Sequence, residues 1–131
     1  RHRTPRWNDY NRMAKERGSL ALELYVVNTI PSGPDADLPG TLPDHLAYQA
    51  RMEEEGKLVF AGPVSDESGD NLLGEGMIIY RAPSLEEARS YAAGDPMHKK
   101  GVRTFTIRRW LVNEGSFTVT VGLSTKKVGM S

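Results

Sequence analysis

The chain has no cysteine in its 131 residues. Disulfides, thiolate nucleophiles, zinc fingers and iron–sulfur clusters are excluded together. Net charge is also missing, because seventeen Lys and Arg balance seventeen Asp and Glu. A nucleic-acid coat or a membrane-surface binder would need an excess of positive charge, so neither is expected. No apolar run approaches the roughly 20 residues of a membrane span, and no apolar stretch follows the Arg-rich start to make a signal peptide. What is present is ordinary: 38% hydrophobic and 26% charged residues, the balance of one globular domain with one core. The expectation is a soluble, cytoplasmic, single-domain protein.

The charge is balanced overall but not locally. Residues 33–95 are strongly acidic, whereas residues 96–110 hold Lys99, Lys100, Arg103, Arg108 and Arg109 with no acid. Such blocks either pair within the fold or across a dimer, or draw an anionic substrate toward a site.

Periodicity gives the elements. Trp7, Tyr10, Met13 and Ala14 recur at helical spacing before Gly18, predicting a helix over 8–17. Residues 20–29 alternate as a strand, with Leu20, Leu22, Leu24 and Val26 on one face and Glu23 on the other. The proline- and glycine-rich stretch 30–40 predicts a loop long enough to form a lid or a site wall. Thr41, with Asp44 three residues on, predicts a helix start; Leu42, Leu46 and Ala50 mark its buried stripe, and Gly56 its end. Strands are predicted at Leu58–Ala61 and Met77–Tyr80. Ser84-Leu-Glu-Glu87 is a full capping box, the strongest local signal in the chain, and opens a helix that stops at Gly94. Val102–Val112 predicts a fourth strand, and Phe117, Val119, Val121 and Leu123 a fifth, with a polar tail after it, frayed or pinned by a partner.

The middle elements run β-α-β-β-α-β, the ferredoxin-like arrangement of an α+β fold, here with an N-terminal helix and a C-terminal extra strand. Its sheet carries helices on one face only, so the other needs cover, and a homodimer packed face to face is the economical answer.

Three histidines are available for chemistry. His2 lies in the basic terminus and carries no role. His45 falls about 60° around the helix from Leu42, on the flank of the expected stripe. At the end of the first turn, the helix dipole would favour a neutral imidazole able to accept a proton. Asp95 follows the helix stop and precedes Pro96, which holds it extended. From there its carboxylate could orient an imidazole by a hydrogen bond. His98 lies three residues on, a further candidate for the same rim. Gly62, at a strand end, offers a backbone N–H, and Arg51 or Arg81 could meet an anion. No Gly-rich phosphate loop, G-x-S-x-G elbow or His-Glu-x-x-His pattern occurs.

Several short motifs then fall in a telling order. Asp44-His45-Leu46-Ala47-Tyr48-Gln49 is followed by Glu55-Gly56-Lys57-Leu58 and Ala61-Gly62-Pro63. Gly76-Met77-Ile78-Ile79, Ser84-Leu-Glu-Glu-Ala88 and Gly94-Asp95-Pro96 come next. Each is weak alone; the ordered set resembles the YCII-related (YciI-like) family over residues 20–112. The resemblance implies a dimeric α+β barrel and a His–Asp site pair, falling here on His45 and Asp95. It also implies, where an activity is assigned, cofactor-free elimination or isomerisation of oxidised aromatic rings. The chain departs from the family pattern in its extensions, 1–19 and 113–131, in the longer loop 30–40, and in His98.

Three functions follow as expectations. The first is a cofactor-independent lyase or isomerase acting on a small metabolite, with His45 as general base, Asp95 as its partner, and His98, Gly62, Arg51 and Arg81 around the substrate. The second is a non-enzymatic small-ligand-binding or assembly protein. The third is a metal site built from His45, Asp95 and His98, a set of two imidazoles and a carboxylate used by non-haem iron.

Overall fold

The capping box forms as its sequence predicts: Ser84 Oγ accepts the Glu87 backbone N–H at 3.1 Å, and the helix α3 runs Leu85–Gly94. In this computed structural model, residues 4–131 are described; His2 lies outside them. Before α3 come a helix α1 (Trp7–Glu16), a strand β1 (Leu22–Pro31), a helix α2 (Leu38–Glu54), and strands β2 (Leu58–Pro63) and β3 (Gly76–Tyr80). After it come a single helical turn α4 (Pro96–Lys99), a strand β4 (Arg103–Val112) and two short strands, β5 (Val119–Val121) and β6 (Val128–Met130).

The main sheet has the order β2-β3-β1-β4, the ferredoxin-like arrangement. β3 pairs antiparallel with β1, setting Tyr25 opposite Tyr80 and Val27 opposite Ile78. Those four side chains share one face and build the core with Tyr48 and Met52 of α2 and Ala88 and Ala92 of α3. Burying each large apolar side chain contributes roughly 1.5–3 kcal/mol. Small Ala88 and Ala92 let α3 lie close against the sheet.

The chain divides into two compact units, residues 23–110 and the two ends, 1–22 with 111–131. The first holds the sheet and its helices. In the second, β5 and β6 form a two-stranded antiparallel sheet with Val119 opposite Met130 and Val121 opposite Val128.

Several expectations change. β1 turns Tyr25 and Val27, not the Leu20–Val26 set, toward the helices; Leu24 is also buried, whereas Leu20 and Leu22 are exposed. β1 carries apolar residues on both faces, Leu24 and Val26 on one and Tyr25 and Val27 on the other, so alternation does not say which face meets the helices. The lid-length loop shrinks to residues 32–37, because β1 extends to Pro31 and α2 starts at Leu38. The cap of α2 is Asp37, whose side chain accepts the Gly40 N–H at 3.0 Å, rather than Thr41 with Asp44. Its buried stripe is Thr41, Tyr48, Gln49 and Met52, so Leu42, Leu46 and Ala50 stay exposed. Finally, the tail, expected to be frayed or pinned by a partner, supplies β6, which pairs with the predicted fifth strand.

Candidate functional site

His45 lies on the inward stripe of α2, one turn after Thr41 and one before Tyr48 and Gln49. It is the eighth helical residue, so the favourable dipole position expected for a helix starting at Thr41 does not apply. Its neighbour decides its state instead. Gly94 ends α3, and Asp95 takes the extended conformation (φ −62°, ψ 127°) that a following proline imposes. The Asp95 side chain is fully buried. One carboxylate oxygen accepts the Met97 backbone N–H at 3.0 Å and so caps α4. Both oxygens face His45 Nδ1, at 2.9 and 2.8 Å.

An ionised carboxylate only accepts, so His45 Nδ1 carries the proton and donates it. Nε2 of the neutral ring is then a bare lone pair. The His45 side chain is 21% exposed, and it opens onto a cleft of about 780 Å³. A fully buried carboxylate behind a part-exposed imidazole is the geometry that fixes a tautomer and stabilises the imidazolium after proton uptake.

The local sequence explains why the pair meets. Tyr48, one turn beyond His45, donates its hydroxyl to the Tyr91 carbonyl at 2.6 Å and ties α2 to α3. Burial, and then the Asp95 charge, push the Tyr48 hydroxyl pKa up, which keeps it a donor. Gly94 permits this approach, since a Cβ there would lie 2.8 Å from the Tyr48 hydroxyl oxygen. Lys100 reaches Asp44 at 3.1 Å and ties α4 to α2 on the outside.

The cleft runs between α2 and the edge strand β2. Leu42 and Leu46 form part of one wall and Ala61, Gly62 and Ile78 part of the other. Its inner end is polar. His98 Nδ1 lies 2.7 Å from the Ala92 carbonyl, which makes it the donor. Nε2 must then accept, and it receives the Thr29 hydroxyl at 2.8 Å. Thr29 Oγ1 in turn accepts Arg103 Nε–H at 2.9 Å. Burial lowers the His98 pKa below its ordinary value, so the ring is held neutral, as this hydrogen-bond direction requires.

The structure brings His45, Asp95, His98 and Gly62 to one cleft. It does not bring Arg51 or Arg81 there. The Arg51 guanidinium lies over the Tyr48 ring, 5.0 Å from its centroid, and faces Glu55 at 3.9 Å. Arg81 donates to the Gly56 carbonyl at 3.0 Å. Among the described residues, no three His, Asp or Glu side chains cluster as metal ligands. Both ring nitrogens of His98 are already engaged, which removes a ligand from the expected His45–Asp95–His98 set.

Three residues that line the cleft escaped the sequence reading: Thr29, Gln49 and Arg103. Gln49 is 8% exposed, and neither of its amide atoms has a hydrogen-bond partner. An orphan buried amide costs about 1–3 kcal/mol. Arg103 and Thr29 carried a faint signal, since each keeps strand phase with apolar core-facing residues: Phe105 and Ile107 for one, Tyr25 and Val27 for the other.

The YCII-related domain matches residues 24–111 of the chain. No curated protein matches it in sequence. A solved structure of similar fold is 5-chloro-2-hydroxyhydroquinone dehydrochlorinase from Burkholderia phenoliruptrix AC1100, in complex with 2,5-dihydroxybenzoquinone. It is 22% identical, with a TM-score of 0.51, covering 66% of this chain and 92% of that one. At that identity the likeness shows the fold.

Proposed function

This chain belongs to the YCII-related family, and we propose that it is a cofactor-independent lyase or isomerase acting on a small oxygenated ring compound. The observation that carries the proposal is the His45 Nδ1 to Asp95 contact at 2.8–2.9 Å, which leaves Nε2 as a base at the cleft. Nε2 takes a proton from a hydroxyl or from a carbon beside a carbonyl. Asp95 stabilises the imidazolium that forms, and the electron pair left behind spreads onto an enolate or phenolate oxygen. Gln49, one helical turn from His45, lines the same cleft with a buried amide that has no partner, and a small side-chain rotation would bring its N–H to that oxygen. Return of the proton at another carbon completes an isomerisation. Departure of an anionic leaving group such as chloride completes an elimination. The dehydrochlorinase of similar fold and its quinone ligand favour an oxygenated aromatic ring as the substrate class.

The test is chloride release from 5-chloro-2-hydroxyhydroquinone, followed for the wild type, His45→Gln and Asp95→Asn. Release by the wild type that both variants lose supports the proposal. Equal rates in all three proteins would sink it.

The proposal includes a homodimer built on the YCII-related core, 20–112. On the sheet face away from the helices, Phe60 is 45% and Trp110 43% exposed. In the 111–131 segment, Val119, Val121, Val128 and Met130 share one face of the β5–β6 hairpin, each more than half exposed. Apolar faces of this kind are seldom left to water. Sedimentation at micromolar concentration should give a dimer, weakened by removing residues 114–131; a folded monomer would refute it.

A further inference from the structure

A guanidinium has five N–H donors in a fixed fork, and in Arg103 three of them are spent. Nε donates to Thr29 Oγ1 at 2.9 Å. The two hydrogens of Nη2 go to the Thr29 carbonyl, at 2.9 Å, and to the Gly74 carbonyl. Nη1, with two hydrogens, has no acceptor among the described residues, and no described carboxylate forms an ion pair with Arg103. Arg103 lines the same cleft as His45. Its partners are the two backbone carbonyls and the Thr29 hydroxyl, which is itself held by His98. Neutral acceptors fix the fork; burial weighs against its charge and the Asp95 carboxylate, at longer range, offsets only part of that. A partly buried cation with one unspent NH2 group can receive an anionic oxygen there, because such charge-assisted bonds are roughly twice as strong as neutral ones.

We infer that Arg103 Nη1 is the anchor for an anionic oxygen of the substrate, a ring carboxylate or a phenolate-type oxygen, with Thr29 and His98 as the residues that position it. The inference deepens the proposed base chemistry by naming the charge its substrate carries. It is tested by binding alone, so it stands or falls separately from turnover at His45.

Four probes separate charge from shape. Benzoate and 2,4-dinitrophenolate are anionic at neutral pH; benzamide and 2,4-dinitroanisole are their uncharged counterparts. Dissociation constants are measured by calorimetry for the wild type, Arg103→Gln, Arg103→Lys, Thr29→Val and Thr29→Ser, with circular dichroism as the check on folding. The wild type should bind at least one anion about tenfold more tightly than its neutral counterpart. Which anion gains says whether the oxygen is a carboxylate or a phenolate. Arg103→Gln should erase the difference, and Arg103→Lys should retain part of it as a point charge without the fork. Should the Arg103 variants not fold, Thr29→Val decides: it keeps the cation but frees Nε, and should weaken the anion severalfold, whereas Thr29→Ser restores it. All of this should hold equally in a His45→Gln background. A wild type that binds neither anion better than its neutral counterpart overturns the inference. So does an anion preference that survives in folded Arg103→Gln or, where that variant does not fold, one that is undiminished in Thr29→Val.

Discussion

The cleft holds two hydrogen-bonded arrays, the His45–Asp95 pair and the Thr29–His98–Arg103 chain, and each is centred on a histidine. His45 faces a buried carboxylate with Nδ1 and the cleft with Nε2. His98 faces the Ala92 carbonyl with Nδ1 and the Thr29 hydroxyl with Nε2, so both nitrogens are spent inside the protein. Burial works against a positive charge on His98; the Ala92 carbonyl and Asp95 offset part of that, and Arg103 and His45 add to it. The same side chain is thus the proposed base in one array and a spacer in the other, and the difference lies in what the ring nitrogens touch.

The largest expected effect breaks the first array. His45→Gln and Asp95→Asn should each lower turnover about 10²–10⁴-fold, read as chloride release. An asparagine at 95 presents an N–H toward His45 Nδ1, or an oxygen without charge, so either the tautomer or the stabilisation of the imidazolium is lost. The double variant should be little slower than the worse single one, because a base and its orienter act as a unit. Additive losses would mean that the two residues work separately.

Next in size is Gln49, which belongs to neither array. Gln49→Met keeps the volume and removes two orphan polar atoms. Turnover should fall about tenfold or more, while stability rises by about 1 kcal/mol, measured as a urea midpoint. A variant that is slower and also less stable would show the amide to be structural.

A control of similar size in stability sits outside the cleft. Ser84→Ala removes the cap of α3 and should cost about 1 kcal/mol, with no change in the pH profile of turnover. A shifted profile would mean that α3 stability itself sets the His45–Asp95 geometry.

The smallest effect concerns His98. Its folded pKa lies below the ordinary 6.5. As pH falls below about 6.5, the unfolded chain takes up a proton that the folded chain refuses, so stability drops until the folded ring also protonates. His98→Gln should flatten that part of the stability–pH curve between neutrality and mild acid. An unchanged slope would place the acid sensitivity on another group and weaken the contrast between the two histidines.

The sequence carried much of this unevenly. The capping box at Ser84 and the Gly94-Asp95-Pro96 stop are local signals, set by residues a few positions apart, and both formed where they were expected. The position of His45 on α2 is different. The helix begins three residues earlier than Thr41, so the stripe moves from Leu42–Leu46 to Thr41–Tyr48, and the exposed leucines become cleft wall. A proline at the second helical position and another in the interior hid that start. Arg103 was one of five basic residues in a run, and only its strand phase, shared with Phe105 and Ile107, set it apart. Gln49 had no signal at all, since an unpartnered amide is visible only once every neighbour is placed.

The central claim is that Asp95 holds the proton on His45 Nδ1 and leaves Nε2 bare toward the cleft. Nitrogen-15 NMR of the histidine side chains at a pH where His45 is neutral tests it directly. The account expects the Nδ1–H tautomer for His45 in the wild type, with its loss or mixing in Asp95→Asn. A wild-type His45 carrying its proton on Nε2 would contradict the account.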